Sequence, residues 1–202
     1  MDLALSPQIV SMSWQDYIAR NYDRAIIPWD RYRYSGTGVI EVGGEAIQNV
    51  EIADELRDRF KAEIKRLGLD WKTYQNSLSV EVEHSIKQER IPDVLVIDGA
   101  TRSLMDRESR IITKDMPAPI LIVEVVSPSS KVDDLEDKPF EDMGRGVGEY
   151  LSINWRNEIV MVWSRTEDGK TYNVVTYHVG EQVALQTFPE LMITVDQLIL
   201  KE

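Results

Sequence analysis

The sequence predicts an α/β domain of the α+β kind, a sheet core flanked by helices with a β-hairpin toward its C-terminus. Three observations carry this. Residues 50–67 place Ile52, Leu56, Phe60, Ile64 and Leu67 on one face at helical spacing. Residues 91–97 (IPDVLVI) and 120–126 (ILIVEVV) are dense in β-branched side chains, as in central strands buried on both faces. Asp168-Gly169 lies between two strand-like runs, the pattern of a tight hairpin. At 202 residues and 43% hydrophobic content, residues 1–202 are expected to form one domain around a sizeable core.

The elements follow in order. Ser13 is placed to cap a short helix that begins at WQDYIARNY. Residues 29–38 are aromatic and irregular, and residues 39–47 read as two short strands around Gly43-Gly44. The long helix is expected over 50–67, with Asn49 as its N-cap and Gly68 as its stop. Its Arg57, Arg59, Lys61, Lys65 and Arg66 read first as a solvated face, with a phosphate-tracking edge as the functional alternative. Leu78, Val80 and Val82 alternate with polar residues, giving a half-buried strand. The connection over 99–119 is long enough to be functional, flexible or partly structured. An acidic helix is expected within 133–143, strands over 150–153, 159–164 and 171–177, and a last helix capped by a Thr194–Gln197 box.

Composition narrows the function classes. No apolar run reaches the ~20 residues of a membrane helix. No basic segment followed by an apolar stretch marks a secretory leader, so the expected compartment is the cytoplasm. The absence of cysteine excludes disulfides, thiolate catalysis and cysteine-based zinc sites. A net charge of −12 argues against a general nucleic-acid coat, because affinity for phosphate comes from Lys and Arg. It leaves room for a local basic groove and suits a site that gathers divalent cations.

Two acids stand where apolar patterning predicts none. Asp93 follows Pro92 near the start of one strand, and Glu124 interrupts the apolar run of the other. A carboxylate inside a sheet is costly unless paired, hydrogen-bonded or metal-bound. Two of them, if their strands are neighbours, suggest a shared cation, magnesium or manganese given a donor set of oxygens alone. The alternative is a pair of strand-end acids capping loop amides. Glu81 and Glu83 read as solvent-facing, Glu51 and Glu55 as acids placed for the helix dipole, and His84 and His178 as structural or surface residues.

The motif around these acids resembles the Uma family of restriction-endonuclease-like proteins, within the PD-(D/E)XK nuclease superfamily. The resemblance rests on Pro92-Asp93, on Glu124-Val125-Val126-Ser127-Pro128-Ser129, on Asp134 and Lys138 four residues apart, and on Gly146-Val147-Gly148-Glu149-Tyr150. It implies a restriction-endonuclease-like mixed sheet flanked by helices. It also implies that Asp93 and Glu124 hold Mg2+ or Mn2+, with the Val125 carbonyl as a third ligand. The superfamily usually sets its lysine two residues after the Glu, where this chain has Val126; the Uma pattern supplies one further on, at Lys138. Lys138 would orient or help deprotonate the attacking water and offset phosphate charge. The chain departs from the family at Asp142 (Tyr expected), Leu151 (often Trp) and Asn49 (often His), and the pattern of Glu41 before Gly43-Gly44-Glu45 is one residue off.

The activity implied is metal-dependent endonucleolytic cleavage of DNA, with a homodimer plausible because cutting both strands takes two sites. Two other readings stay open. The chain could be a nuclease fold that binds without cutting, or a metal hydrolase of a small phosphorylated substrate.

Overall fold

The computed structural model describes residues 10–19, 32–34, 36, 38–41, 46–82, 88–126 and 138–201. Strands β1 (Val10–Ser11), β2 (Tyr32–Tyr34) and β3 (Gly38–Glu41) form a small antiparallel sheet. Helix α1 (Trp14–Ile18) carries Tyr17 into the same N-terminal core, and the Ser13 hydroxyl caps it by accepting the Asp16 N–H. Helix α2 (Ile47–Arg66) leads into β4 (Trp71–Gln75). Strand β5 (Ser79–Glu81) pairs with β6 (Glu89–Arg90) and with β8 (Ile111–Ile112). Between β6 and β8 come β7 (Val94–Asp98) and the short helix α3 (Gly99–Leu104). The second half runs through β9 (Leu121–Val125), α4 (Lys138–Arg145), β10 (Glu149–Asn154), β11 (Ile159–Arg165), β12 (Tyr172–His178), β13 (Gln182–Val183), β14 (Ile193–Thr194) and α5 (Val195–Leu198).

Six strands make the central sheet in the order β12-β11-β10-β9-β7-β4. It is mixed: β9 and β10 are parallel, and the other described neighbours are antiparallel. One face packs on α2. Ile52, Leu56, Phe60 and Ile64 reach across to Val94, Val96, Leu121, Val123 and Val125, and the C-terminal segment adds Phe188, Ile193 and Leu198. Each such side chain, fully buried, contributes roughly 1.5–3 kcal/mol. The other face carries Leu95, Ile97, Ile122, Tyr150 and Trp163 against Leu78, Val80, Ile112 and Val147. Continuous apolar runs at β7 and β9 thus reflect burial on both faces.

Several boundaries differ from expectation. Helix α2 begins at Ile47, so residue 47 belongs to a helix and not to a second strand. Its N-cap is Ala46, which offers no side-chain bond; Asn49 lies inside the helix, its amide engaged elsewhere. Gly68 does end it, at φ +65°, where a Cβ would be strained. The 99–119 connection is partly structured, holding α3 and β8. The acidic helix is described over Lys138–Arg145, and residues 133–137 of the expected span lie outside the described residues. The Thr194–Gln197 capping box is present on α5.

Candidate functional site

Asp93 sits one residue before β7, and Glu124 is the fourth residue of β9. The two strands pair antiparallel with Val94 opposite Val123. One further step in that register puts Asp93 opposite Glu124, and residues directly opposite in an antiparallel pair share a face. Parity assigns that face: Leu95 and Ile122 belong to the cluster away from α2, so Asp93 and Glu124 lie on the same side. Both are nearly out of solvent, at 7% and 2% exposure.

Pro92 has no N–H to offer β9. The Val125 N–H donates to Asp93 Oδ2 at 2.6 Å, which ties the carboxylate to the strand that carries Glu124. The Val125 carbonyl accepts from Asn49 Nδ2 at 3.3 Å, and Asn49 Oδ1 accepts in turn from Trp155 Nε1 at 2.8 Å. Asn49 is buried at 1% exposure, so helix α2, β9 and the turn after β10 meet at this one amide. Asn49 has the sequence position of a cap, but its link to Val125 spans 76 positions and leaves no local signal.

Lys138 is the first described residue of α4, and its side chain lies outside the described residues, as do Ser127, Pro128, Ser129 and Asp134. Helix α4 itself is well placed. Met143 packs into the cluster of Leu95, Ile122 and Tyr150, so the helix covers the sheet face that bears the two acids. Arg90, at the end of β6, grips Glu141 through Nε at 2.5 Å and Nη2 at 2.9 Å. Arg90 is 6% and Glu141 12% exposed, so this two-pronged ion pair is buried. Asp142 is fully buried on the same helix. Burial raises the Tyr172 phenol above its ordinary pKa; Asp142 adds to the rise, and nearby Arg165 opposes it.

The GVGEY block is a fold element. Gly146 ends α4 at φ +93°. A Cβ on Gly148 would stand 2.8 Å from the Ile120 carbonyl oxygen, so β10 can start beside β9 only with glycine there. Glu149 is buried and accepts from the Ser164 hydroxyl and the Gln186 and Thr187 N–H groups, fastening the C-terminal segment to the sheet. Tyr150 packs edge-on against Trp163.

Other candidates resolve into structural roles. Arg57 pairs with Asp54 and Asp58, Arg59 with Glu55, and Arg66 with Glu63 and Glu190. Those three guanidiniums are occupied by acids, as on a solvated face. Glu81 is half-buried and accepts the Lys114 N–H. His178 is exposed on β12, and Glu83 and His84 lie outside the described residues. A cleft of about 540 Å³ lies between α1 and the segment before Met116, lined by Gln15, Asp106, Arg110 and Thr113 among others. Neither Asp93 nor Glu124 lines it. Among the described residues no three or more His, Asp or Glu side chains gather as a metal cluster. No described helix is long and apolar enough to cross a membrane.

Comparison with known proteins agrees with this fold. The model of the Uma2 family, described as "Putative restriction endonuclease", matches residues 14–196. Among solved structures, the chain is similar to a protein from Anabaena variabilis titled a putative nuclease belonging to DUF820. The TM-score is 0.63 at 14% identity, over 80% of this chain and 86% of that one, a likeness of fold. No curated protein matches the chain.

Proposed function

This chain belongs to the Uma2 family, and from that premise we propose that it is a metal-dependent endonuclease hydrolysing phosphodiester bonds in DNA. What supports the reading is the β7–β9 register, whose next step would set Asp93 opposite Glu124, together with the burial of both acids. Two carboxylates so placed repel unless a cation or a proton compensates them. An oxygen-only donor set fits Mg2+ or Mn2+. Asp93 and Glu124 would hold the ion, with the Val125 carbonyl as third ligand; Asn49 uses one lone pair of that oxygen, and a carbonyl has two. Such an ion polarises a phosphate and lowers the pKa of bound water.

The chain's own residues supply the remainder. The Val125 N–H fixes the Asp93 carboxylate, so its orientation is set before any ligand arrives. Lys138 would orient the attacking water and offset charge on the phosphate. Support comes from α4, which packs over the face bearing the acids. It comes also from Val126, buried at 3% exposure in the superfamily's usual lysine position, so a cation must arrive from another element. A homodimer would present two sites to the two strands of a duplex.

The test is nicking of supercoiled plasmid in Mg2+ or Mn2+, comparing wild type with Asp93→Asn, Glu124→Gln and Lys138→Ala. We expect losses of about 100-fold or more, with native circular dichroism retained. An Asp93→Asn protein that cuts at the wild-type rate refutes the reading. The buried valine at 126 favours one second reading, a nuclease fold that binds without cutting. Calorimetry separates the two: no heat of Mn2+ binding at millimolar concentration supports the binder.

A further inference from the structure

We propose that β12 is the surface through which two copies of this chain join, edge to edge, into a two-fold dimer. The inference holds whether or not the site cuts DNA.

Strand β12 ends the central sheet, with β11 on one side. The Thr166 N–H donates to the Thr171 carbonyl, and the Arg165 N–H turns the other way, to the Gly148 carbonyl. That alternation, carried through the β11–β12 register, directs the backbone groups of Asn173, Val175 and Tyr177 to β11. Those of Tyr172, Val174, Thr176 and His178 point outward. His178 is already satisfied: its N–H donates to Glu181 Oε2 at 2.7 Å, and its carbonyl accepts the Glu181 N–H at 3.0 Å. Among the described residues nothing pairs the outward groups of Tyr172, Val174 and Thr176.

Natural edge strands are guarded by charge, proline, bulges or a covering element. The opposite edge has such guards: β4 carries exposed Lys72 and packs on α2 and α3. In contrast β12 has no Asp, Glu, Lys, Arg or Pro, in a chain of net charge −12. Val174 and Val175 are 49% and 46% exposed and, as neighbours in a strand, lie on opposite faces. Both faces of the sheet are therefore exposed in the middle of this edge strand.

A second copy fits what is exposed. Antiparallel pairing about Val174 sets Tyr172 against Thr176 and Val174 against itself. It uses all three outward residues, for about six hydrogen bonds. The same register brings Lys170 opposite His178, where Glu181 is held, so opposite charges meet at both ends while the middle stays neutral. The two-fold axis is perpendicular to the sheet, so both Asp93–Glu124 pairs fall on the same face of the joined sheet.

Sedimentation velocity on the full chain tests this, using Val174→Lys, Val174→Glu and their equimolar mixture. Wild type should sediment at twice the 23.2 kDa chain mass. Each variant alone should be monomeric, because like charges then face each other across the axis, and the mixture should recover the dimer. Met192→Lys, exposed elsewhere, is the control and should leave the dimer intact. A monomeric wild type, a folded Val174→Lys dimer, or a mixture that stays monomeric would each overturn the proposal.

Discussion

The buried Arg90–Glu141 pair gives a prediction whose size follows from its geometry. The two nitrogen–oxygen contacts, at 2.5 and 2.9 Å, bring the charge centres to roughly 4 Å. At an effective dielectric of about 20 that is about 4 kcal/mol of attraction, much of it offset by the desolvation both groups suffer. The net worth of the pair is therefore small, but removing the guanidinium strands the carboxylate. Arg90→Met leaves the Glu141 carboxylate buried without its guanidinium and should cost about 3 kcal/mol. Glu141→Leu should cost less, because Arg90 keeps its other interactions. The double variant Arg90→Met/Glu141→Leu should cost less than the sum of the two, with a coupling of about 2 kcal/mol. Urea unfolding followed by tryptophan fluorescence measures all four corners of the cycle. A coupling below about 0.5 kcal/mol, the level of independent sites, would refute the account. Because α4 carries Lys138, the single variants should also slow plasmid nicking in urea-free buffer, where they remain folded. The reciprocal swap Arg90→Glu/Glu141→Arg should regain part of that loss, which a purely structural deficit in stability would not explain.

Two other substitutions probe the scaffold. Gly148→Ala forces a Cβ to within 2.8 Å of the Ile120 carbonyl oxygen, a backbone atom that can move only with β9. It should cost about 1–3 kcal/mol in the same urea assay, and an unchanged midpoint would show that the strand start is looser than drawn. Glu63 lies below the ordinary carboxylate pKa, chiefly because the Arg66 side chain hydrogen-bonds it. A depressed folded pKa gives stability that is present above the unfolded value of about 4.3 and lost as pH falls through the folded one. Glu63→Gln should therefore lower the unfolding free energy from urea titration at pH 7 by less than about 1 kcal/mol, and leave it unchanged at pH 2. Equal losses at both pH values would place the effect in packing.

How much could be read from the chain alone depended on the range of the interaction. Helix α2 was legible because its buried face repeats through Ile52, Leu56, Phe60 and Ile64, and the Thr194–Gln197 box because capping is local. The start of α2 was not: Ala46 offers no side-chain cap, and Asn49, which looks like one, is committed to Val125 and Trp155. Strand β4 escaped notice because WKTYQ, an edge strand with polar alternation, carries little apolar signal. The facing of Asp93 and Glu124 was legible only as two acids out of pattern; it takes the β7–β9 register to set them opposite each other. The ion pair between Arg90 and Glu141 joins residues 51 positions apart and left no trace in either local sequence.

The motif that makes the family recognisable therefore divides into two parts with different meanings. GVGEY is scaffolding: its glycines permit a turn and a close strand approach, Glu149 collects three donors, and Tyr150 fills the core. Conforming there says that β10 is built as the fold requires. The departures fall largely on scaffolding as well. Leu151 is fully buried against the α2 face, and Asn49 joins α2 to β9 through Trp155. Asp142 lies in the interior beside Tyr172. None of the three replaces a residue of the proposed metal set, which is Asp93, Glu124 and the Val125 carbonyl. What the departures can change is the support of that set: Asn49 fixes the Val125 carbonyl, and Asp142 shares α4 with Lys138. Differences from relatives should accordingly appear in metal affinity and in the placement of Lys138 before they appear in fold. That is why the charge cycle at Arg90 and Glu141, which shifts α4 without touching the carboxylates, separates a helix that merely covers the sheet from one that carries a working lysine.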